Sequence, residues 1–271
     1  GDALRLAKNS ITDLNKLSYI LLADPALRLT YPTDYKVVTN KINGRVVEGN
    51  DTLKALSVDS IQGYITDGQN NKITDYNGTV EITIYDKNQQ ITTLNNHADG
   101  FLVYNDRPNI IYSGKTDVKN GEFSVTLMVP KDIRYNYGTG RINYYASEPS
   151  SDREAQGFFE NFTVGGTASH YDTNDVTGPV LSTFLNHRSF VSGDKVNETP
   201  VFIADITDEN GINTSGSGIG HDLRLVIDEN PLTSYSLNEY FYSSKNSYKT
   251  GTVTYKIPKL AEGKHTLTFH A

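Results

Sequence analysis

The chain has 271 residues, a formal net charge of −7 and no cysteine. Its length suits about two domains whose cores need no disulfide or metal staple, and the missing thiols exclude cysteine nucleophiles, Cys-ligated zinc and disulfides within this stretch. The acidic balance argues against a general nucleic-acid binder or electrostatic docking to an anionic membrane.

No run approaches the roughly 18 apolar residues that would span a bilayer, and no basic stretch leading into an apolar core marks a signal peptide. With 18 Tyr, 10 Phe and 22 Gly alongside plentiful Thr and Val, the composition predicts a mainly β chain with many turns.

The first thirty residues stand apart. Leu4, Ala7, Ile11 and Leu14 recur at helical spacing, with Asp2 placed to cap the start. Tyr19-Ile20-Leu21-Leu22-Ala23 is an apolar run of strand length, ended by Asp24-Pro25, and predicts a buried strand. One helix and one strand cannot cover each other, so this segment reads as the end of a larger α/β unit.

From Tyr31 the pattern becomes alternation. Tyr35 to Thr39 leads to Asn43-Gly44, a strong hairpin dipeptide. Leu53 to Ile65 continues as strand, with Gly63 as a candidate bulge. Asn77-Gly78 opens Thr79 to Tyr85, where Val80, Ile82 and Ile84 share a face. Ile110 to Tyr112 and Phe123 to Val129 flank Asn120-Gly121, and Arg141 to Ala146 and Phe158 to Val164 complete the set. About seven short strands separated by turn signals predict an Ig-like antiparallel β-sandwich over residues 33–167.

Gly165-Gly166 through Gly178-Pro179 reads as a linker. A second β set follows: Val180 to Leu185, Val201 to Ile206, Leu223 to Ile227, Gly251 to Ile257 and His265 to Phe269. The expectation is two consecutive Ig-like sandwiches, 33–167 and 168–271, the second cut short at its C-terminal end, after a helix-strand remnant over 1–32.

Local chemistry is sparse. None of the six His lies at a metal-ligand spacing. Ser217 has Ser215 where a nucleophile elbow needs Gly, and nothing local marks a Ser-His-Asp triad. The most distinctive segment runs from Asp205 through Asp208-Glu209-Asn210-Gly211 to Asn213. Asp208-x-Asn210-Gly211 is a fragment of an oxygen-rich calcium loop, which makes Asp205, Asp208 and Asn210 the candidate Ca²⁺ ligands. The competing reading is an Asx turn in a glycine-rich loop between strands. Gly216, Gly218 and Gly220 lack the Lys and the strand-to-helix context of a phosphate loop.

Tyr235, Tyr240, Phe241, Tyr242, Tyr248 and Tyr255 crowd one region, either as strand packing or as a sugar-stacking or partner surface. The Asn-x-Thr/Ser sequons at Asn50, Asn77, Asn161, Asn197 and Asn213 arise readily in an Asn-rich chain.

Leu22-Ala23-Asp24-Pro25-Ala26-Leu27-Arg28 resembles the Leu-Gly-Asp-Pro-x-Leu-Arg signature that closes the catalytic domain of gingipain-type, caspase-like cysteine peptidases, with Ala23 in place of Gly. Leu53 to Val58, Val129-Pro130-Lys131-Asp132-Ile133, Gly211-Ile212-Asn213 and Gly218 to Asp222 are similar to the region after that domain in the sortases of the type IX secretion system. The resemblance implies that 1–32 is the tail of a peptidase domain and that the rest is the β region downstream of it.

In that family a Cys, assisted by a His, attacks the carbonyl to give an acyl-enzyme. This chain has no Cys, so the resemblance carries over no catalytic residue and no cofactor. It implies as partners the upstream peptidase domain of the same protein, cargo C-terminal domains and other secretion components, at the outer membrane or surface of a Gram-negative bacterium. Nucleic acid and a membrane span are not expected. The alternative is a stand-alone Ig-like adhesin or glycan-binding module using the tyrosine-rich region.

Overall fold

The computed structural model describes residues 2–20, 22, 24, 34–96, 100–171, 177–214 and 222–271. Residues 1–32 and 33–271 form two separate compact units.

In the first unit, helix α1 (Asp2–Ser10) is amphipathic but buries no residue. Asp2 lies in the first turn and pairs with Arg5 at 3.1 Å, favourable at the positive end of a helix. The helix is shorter than its apolar spacing predicts. The Ser10 hydroxyl turns back to the Ala7 carbonyl at 2.7 Å, and Asp13 caps a 3₁₀ turn over Leu14–Ser18 by accepting the Asn15 amide at 2.8 Å. The strand expected over 19–23 does not form at its described positions, where Tyr19, Ile20 and Leu22 are exposed and outside any strand. A lone strand has no ladder to take its amide and carbonyl groups, and this unit offers no second strand among its described residues. Residues 25–28 of the peptidase-like signature lie outside the described residues, as do Gly216, Ser217, Gly218 and Gly220.

The second unit is mainly β. Its strands are, in order, β1 (Tyr35–Ile42), β2 (Arg45–Val46), β3 (Thr52–Ala55), β4 (Val58–Asp67), β5 (Gly78–Tyr85), β6 (Gln89–Thr92), β7 (Val103–Asp106), β8 (Ile110–Lys119), β9 (Glu122–Met128), β10 (Gly138–Thr139), β11 (Arg141–Glu148), β12 (Arg153–Phe159) and β13 (Thr163–Thr167). There follow β14 (Val180–Leu185), β15 (Val201–Thr207), β16 (Arg224–Ile227), β17 (Ser234–Ser236), β18 (Phe241–Ser243), β19 (Thr250–Lys256) and β20 (Leu267–His270).

The first group does not split into two layers. Strands β8, β5, β11, β12, β1, β4 and β9 are joined edge to edge in that order, and β9 pairs back to β8. These seven strands close a barrel-like ring, which corrects the expected sandwich over 33–167. Two pairings close it, one local and one distant in sequence. Asn120 and Gly121, at φ 51° and 74°, make a two-residue hairpin turn between β8 and β9. On the other side, β1 meets β12 in parallel at Lys36 and Gln156. A bulge between Thr39 and Lys41 lies opposite Gly63 of β4 and adds local twist. A Cβ on Gly63 would sit 2.3 Å from the Val38 carbonyl oxygen, so only glycine fits there. Alternating burial is the same in a sandwich and a closed sheet, and so could not distinguish them.

Val80, Ile82 and Ile84 of β5 all point into the ring's core, as their spacing predicts, with Ile61, Leu127 and Ile142. Asn43-Gly44 forms the predicted turn between β1 and β2. Gly165 and Gly166, expected to open a linker, belong to β13, which runs parallel to β3.

The second group surrounds its own core in two sheets, β14-β15-β19-β18 and β17-β16-β20. Strand β18 also pairs in parallel with β8 at Ser243 and Gly114, so the first of these sheets is continuous with the ring.

Candidate functional site

Of the features singled out in the sequence, Gly211 and Tyr248 meet at the junction between the ring and the second core. Strands β8 and β9 pair only next to their turn, at Val118–Phe123 and Lys119–Glu122, and then diverge. The opening is a cleft of about 480 Å³ lined by Asn40, Gln62, Thr116, Asp117, Glu122 and Ser124. Asn246, from the turn between β18 and β19, seats at its edge.

Asn246 is held at φ 60°, a left-handed conformation that Asn tolerates better than most residues. Its amide nitrogen Nδ2 donates to Asp117 Oδ2 at 2.9 Å, while its Oδ1 accepts from the Asp117 amide at 3.0 Å and the Thr116 hydroxyl at 2.8 Å. Its own amide donates to the Lys115 carbonyl at 2.9 Å. The side chain and backbone amide of one residue thus bond to β8 where β9 has left it. Lys245 pairs with Asp117, and this contact, then the Asn246 bond, holds the Asp117 carboxyl below its usual range. Lys115 pairs with Glu81 and lies 5.7 Å from the Tyr242 ring centroid. Burial pushes the Tyr112 hydroxyl up to about 12.

The loop carrying the metal candidates packs into the same junction. Asp205 is gripped by the Arg188 fork at 2.7 and 2.8 Å and accepts from the Thr252 hydroxyl at 2.7 Å. The Arg188 bonds, then Thr252, hold its carboxyl low. Asp208 Oδ1 accepts the Asn210 amide at 2.8 Å, an Asx turn. Gly211 follows at φ 97°, and a Cβ there would come within 3.1 Å of Tyr248 and 3.2 Å of Met128 at the end of β9. Asn213 Nδ2 donates to Asp132 Oδ2 at 2.5 Å. Among the described residues no three His, Asp or Glu side chains form a metal-holding group.

The tyrosine-rich region divides between the two cores. Tyr248 packs against the ring core. Tyr235 and Tyr255 pack on the second, with ring centroids 5.5 Å apart at an interplanar angle of 40°, and the exposed Tyr240 lies edge-on to Tyr255 at 4.9 Å and 72°. Rings tilted against one another leave no flat platform of coplanar faces. The one hydroxyl–imidazole pair recorded among the described residues is Ser189 Oγ with His187 Nδ1 at 2.8 Å. It is exposed, and no carboxylate orients the ring, so it lacks the third member of a triad. What this junction can do chemically is hold two β bodies in one orientation. Sequence reasoning missed it because Asn246, Lys245 and Thr116 are ordinary surface types, and nothing in their spacing signals a partner about 130 residues away.

No protein-family model matches the chain, and no curated protein matches it. Among solved structures, a crystal structure titled as dimeric latent PorU from Porphyromonas gingivalis matches at 37% identity and a TM-score of 0.53, over 99% of this chain. The chain spans about a quarter, 26%, of that protein's length. Over nearly all its residues, therefore, it is similar to a region of PorU.

Proposed function

We propose that this chain is the non-catalytic β region of a type IX secretion sortase, which in its whole form removes the C-terminal signal domains of cargo and anchors the cargo at the cell surface. The observation that carries this reading is the 37% identity with PorU across 99% of the chain. Sortase chemistry of this kind needs a thiolate to attack the scissile carbonyl, and the chain has no Cys to supply one.

In this reading residues 1–32 are the tail of the caspase-like domain. Leu6, Ile11, Leu14, Leu17, Ile20 and Leu22, all exposed here, are the side chains that domain would cover. Residues 33–167 and 168–271 are then successive β domains, the second Ig-like, carried as one body by the clasp at Asn246. They support the peptidase domain and present a surface to cargo or to other secretion components at the outer membrane.

The test is direct. The purified chain is expected to leave a cargo-derived peptide uncleaved, and to bind a separately produced caspase-like domain of PorU. Leu14→Asp with Leu17→Asp is expected to abolish that binding while leaving the circular dichroism spectrum unchanged. Turnover of the peptide by the chain alone, or absence of binding, would overturn the reading.

A further inference from the structure

The cleft between β8 and β9 is locally positive in a chain of net charge −7. Its two carboxylates are already matched, Asp117 by Lys245 and Glu122 by Lys72. Two further lysines line the same cleft, Lys41 of β1 and Lys119 of β8. Among the described residues neither makes an ion pair or a side-chain hydrogen bond. Both face the cleft closely enough to be felt. The Lys245 and Lys72 contacts dominate the lowering of the Asp117 and Glu122 carboxyls, and Lys119 and Lys41 add a weaker field to each in turn. The lining side chains and their ion-pair partners therefore hold two positive charges with no counter-charge.

The neutral groups are ordered as well. Lys41 lies opposite Gln62, and Gln62 opposite Ser124, so β1, β4 and β9 set these three side chains in one row. Asn40 stands beside that row in the same cleft. The Asn40, Gln62 and Ser124 side chains also lack a partner among the described residues. Their amides and hydroxyl offer donors and acceptors together, the complement of a peptide backbone. Spacing chooses among anions. β4 and β9 separate the strands of Lys41 and Lys119, which sets their roots roughly 14 Å apart at the ordinary strand spacing. Ammonium groups rooted that far apart suit two separate carboxylates better than the oxygens of one phosphate. No Arg fork lines the cleft to grip a phosphate. About four residues of extended chain cover the same span, and about 480 Å³ is the volume of a site for a short peptide.

We infer that this cleft is a docking site for an acidic peptide segment carrying two carboxylates about four residues apart. The segment lies across the strands and is held by side chains, with no ladder bond required. Lys41 and Lys119 take its two carboxylates, and Asn40, Gln62 and Ser124 take the peptide groups between them. The inference stands apart from the sortase reading, because it rests on the charge and register of the cleft alone.

The probe is the acetylated and amidated peptide Asp-Ser-Gly-Ser-Asp, titrated into the full chain by calorimetry and NMR. The expected result is saturable binding, with amide shifts concentrated at 40–41, 62, 119 and 124. Lys41→Gln with Lys119→Gln is expected to weaken binding at least about tenfold, with a melting temperature within about 2 °C of the parent chain because both side chains lie at the surface. Lys264→Gln, remote in the segment before β20, is expected to change nothing, which separates a built site from attraction to any lysine. The neutral peptide Asn-Ser-Gly-Ser-Asn is expected not to bind. No saturable binding of the acidic peptide, equal binding of the neutral one, or equal affinity in the double variant would overturn the inference. So would inorganic phosphate that binds more tightly than the peptide and is lost in the double variant, since that assigns the cleft to phosphate.

Discussion

Two side chains show how charge is spent on joining distant segments. Glu148 ends β11 and is almost fully buried. It accepts from Arg153 Nε at 2.6 Å, from the Asn77 amide at 2.5 Å and from the Ser151 hydroxyl. Arg153 also reaches Asp75 at 3.1 Å and stacks 5.2 Å from the Tyr76 ring centroid. The Arg153 contact, with the other donors, draws the Glu148 carboxyl down to about 2. Its folded value is thus depressed, so its stabilisation is complete above the ordinary 4.5 and is lost as pH falls toward 2. Glu148→Gln leaves Arg153 without its buried counter-charge and is expected to cost roughly 3 kcal/mol, read as a shift of the urea midpoint at neutral pH that shrinks in acid.

His265 is shifted the opposite way. Its Nε2 faces the Ala261 carbonyl at 2.9 Å and its Nδ1 faces Asp228 Oδ2 at 2.7 Å, so the doubly protonated ring satisfies both. Those acceptors, the carbonyl first, raise it above 6.5. The contact is complete below that value and weakens as pH rises through the raised one. Melting temperature is therefore expected to fall as pH rises above 6.5 by an amount that His265→Gln removes; an unchanged slope in the variant would show that the contact contributes nothing.

At the scale of elements, the turns and inward faces were legible, and the connections between them were not. Asn43-Gly44 and Asn120-Gly121 announce their hairpins because two successive residues with positive φ demand those side chains. The inward run Val80, Ile82, Ile84 is equally plain. That β11 lies beside β5, or that β12 lies beside β1, depends on pairing between strands far apart in sequence, which local pattern does not encode. The Asp208–Asn210 turn was legible as a turn; its contact with Met128 was not, since it needs the position of β9.

The same limit hid Asn246, whose role comes from β8 being left half-paired. Asn246→Asp keeps the left-handed backbone and the accepting oxygen but turns the donor toward Asp117 into an opposed carboxylate. It is expected to destabilise by about 2 kcal/mol and to speed amide exchange in β18 and at residues 115–117 while leaving β1 and β4 slow. Uniform acceleration throughout would mean that Asn246 is not a local clasp.

At the scale of the whole molecule, the chain is similar over 99% of its residues to a region that makes up 26% of PorU. Its two cores are separate clusters, yet one sheet runs through both by way of β18 and β8. A hinge at that point would have to break ladder bonds, the Asn246 bonds and the Asn213–Asp132 bond together.

The ring carries a temporal consequence as well. Its closing contact joins Lys36 to Gln156, residues near opposite ends of the segment that builds it. A chain emerging from the ribosome holds β1 long before the stave that will lie beside it exists, so the barrel cannot be hooped until nearly all of it has been made. Such distant pairings are slow to form, and until the last stave arrives the earlier ones wait as open edges of the kind that invite wrong partners.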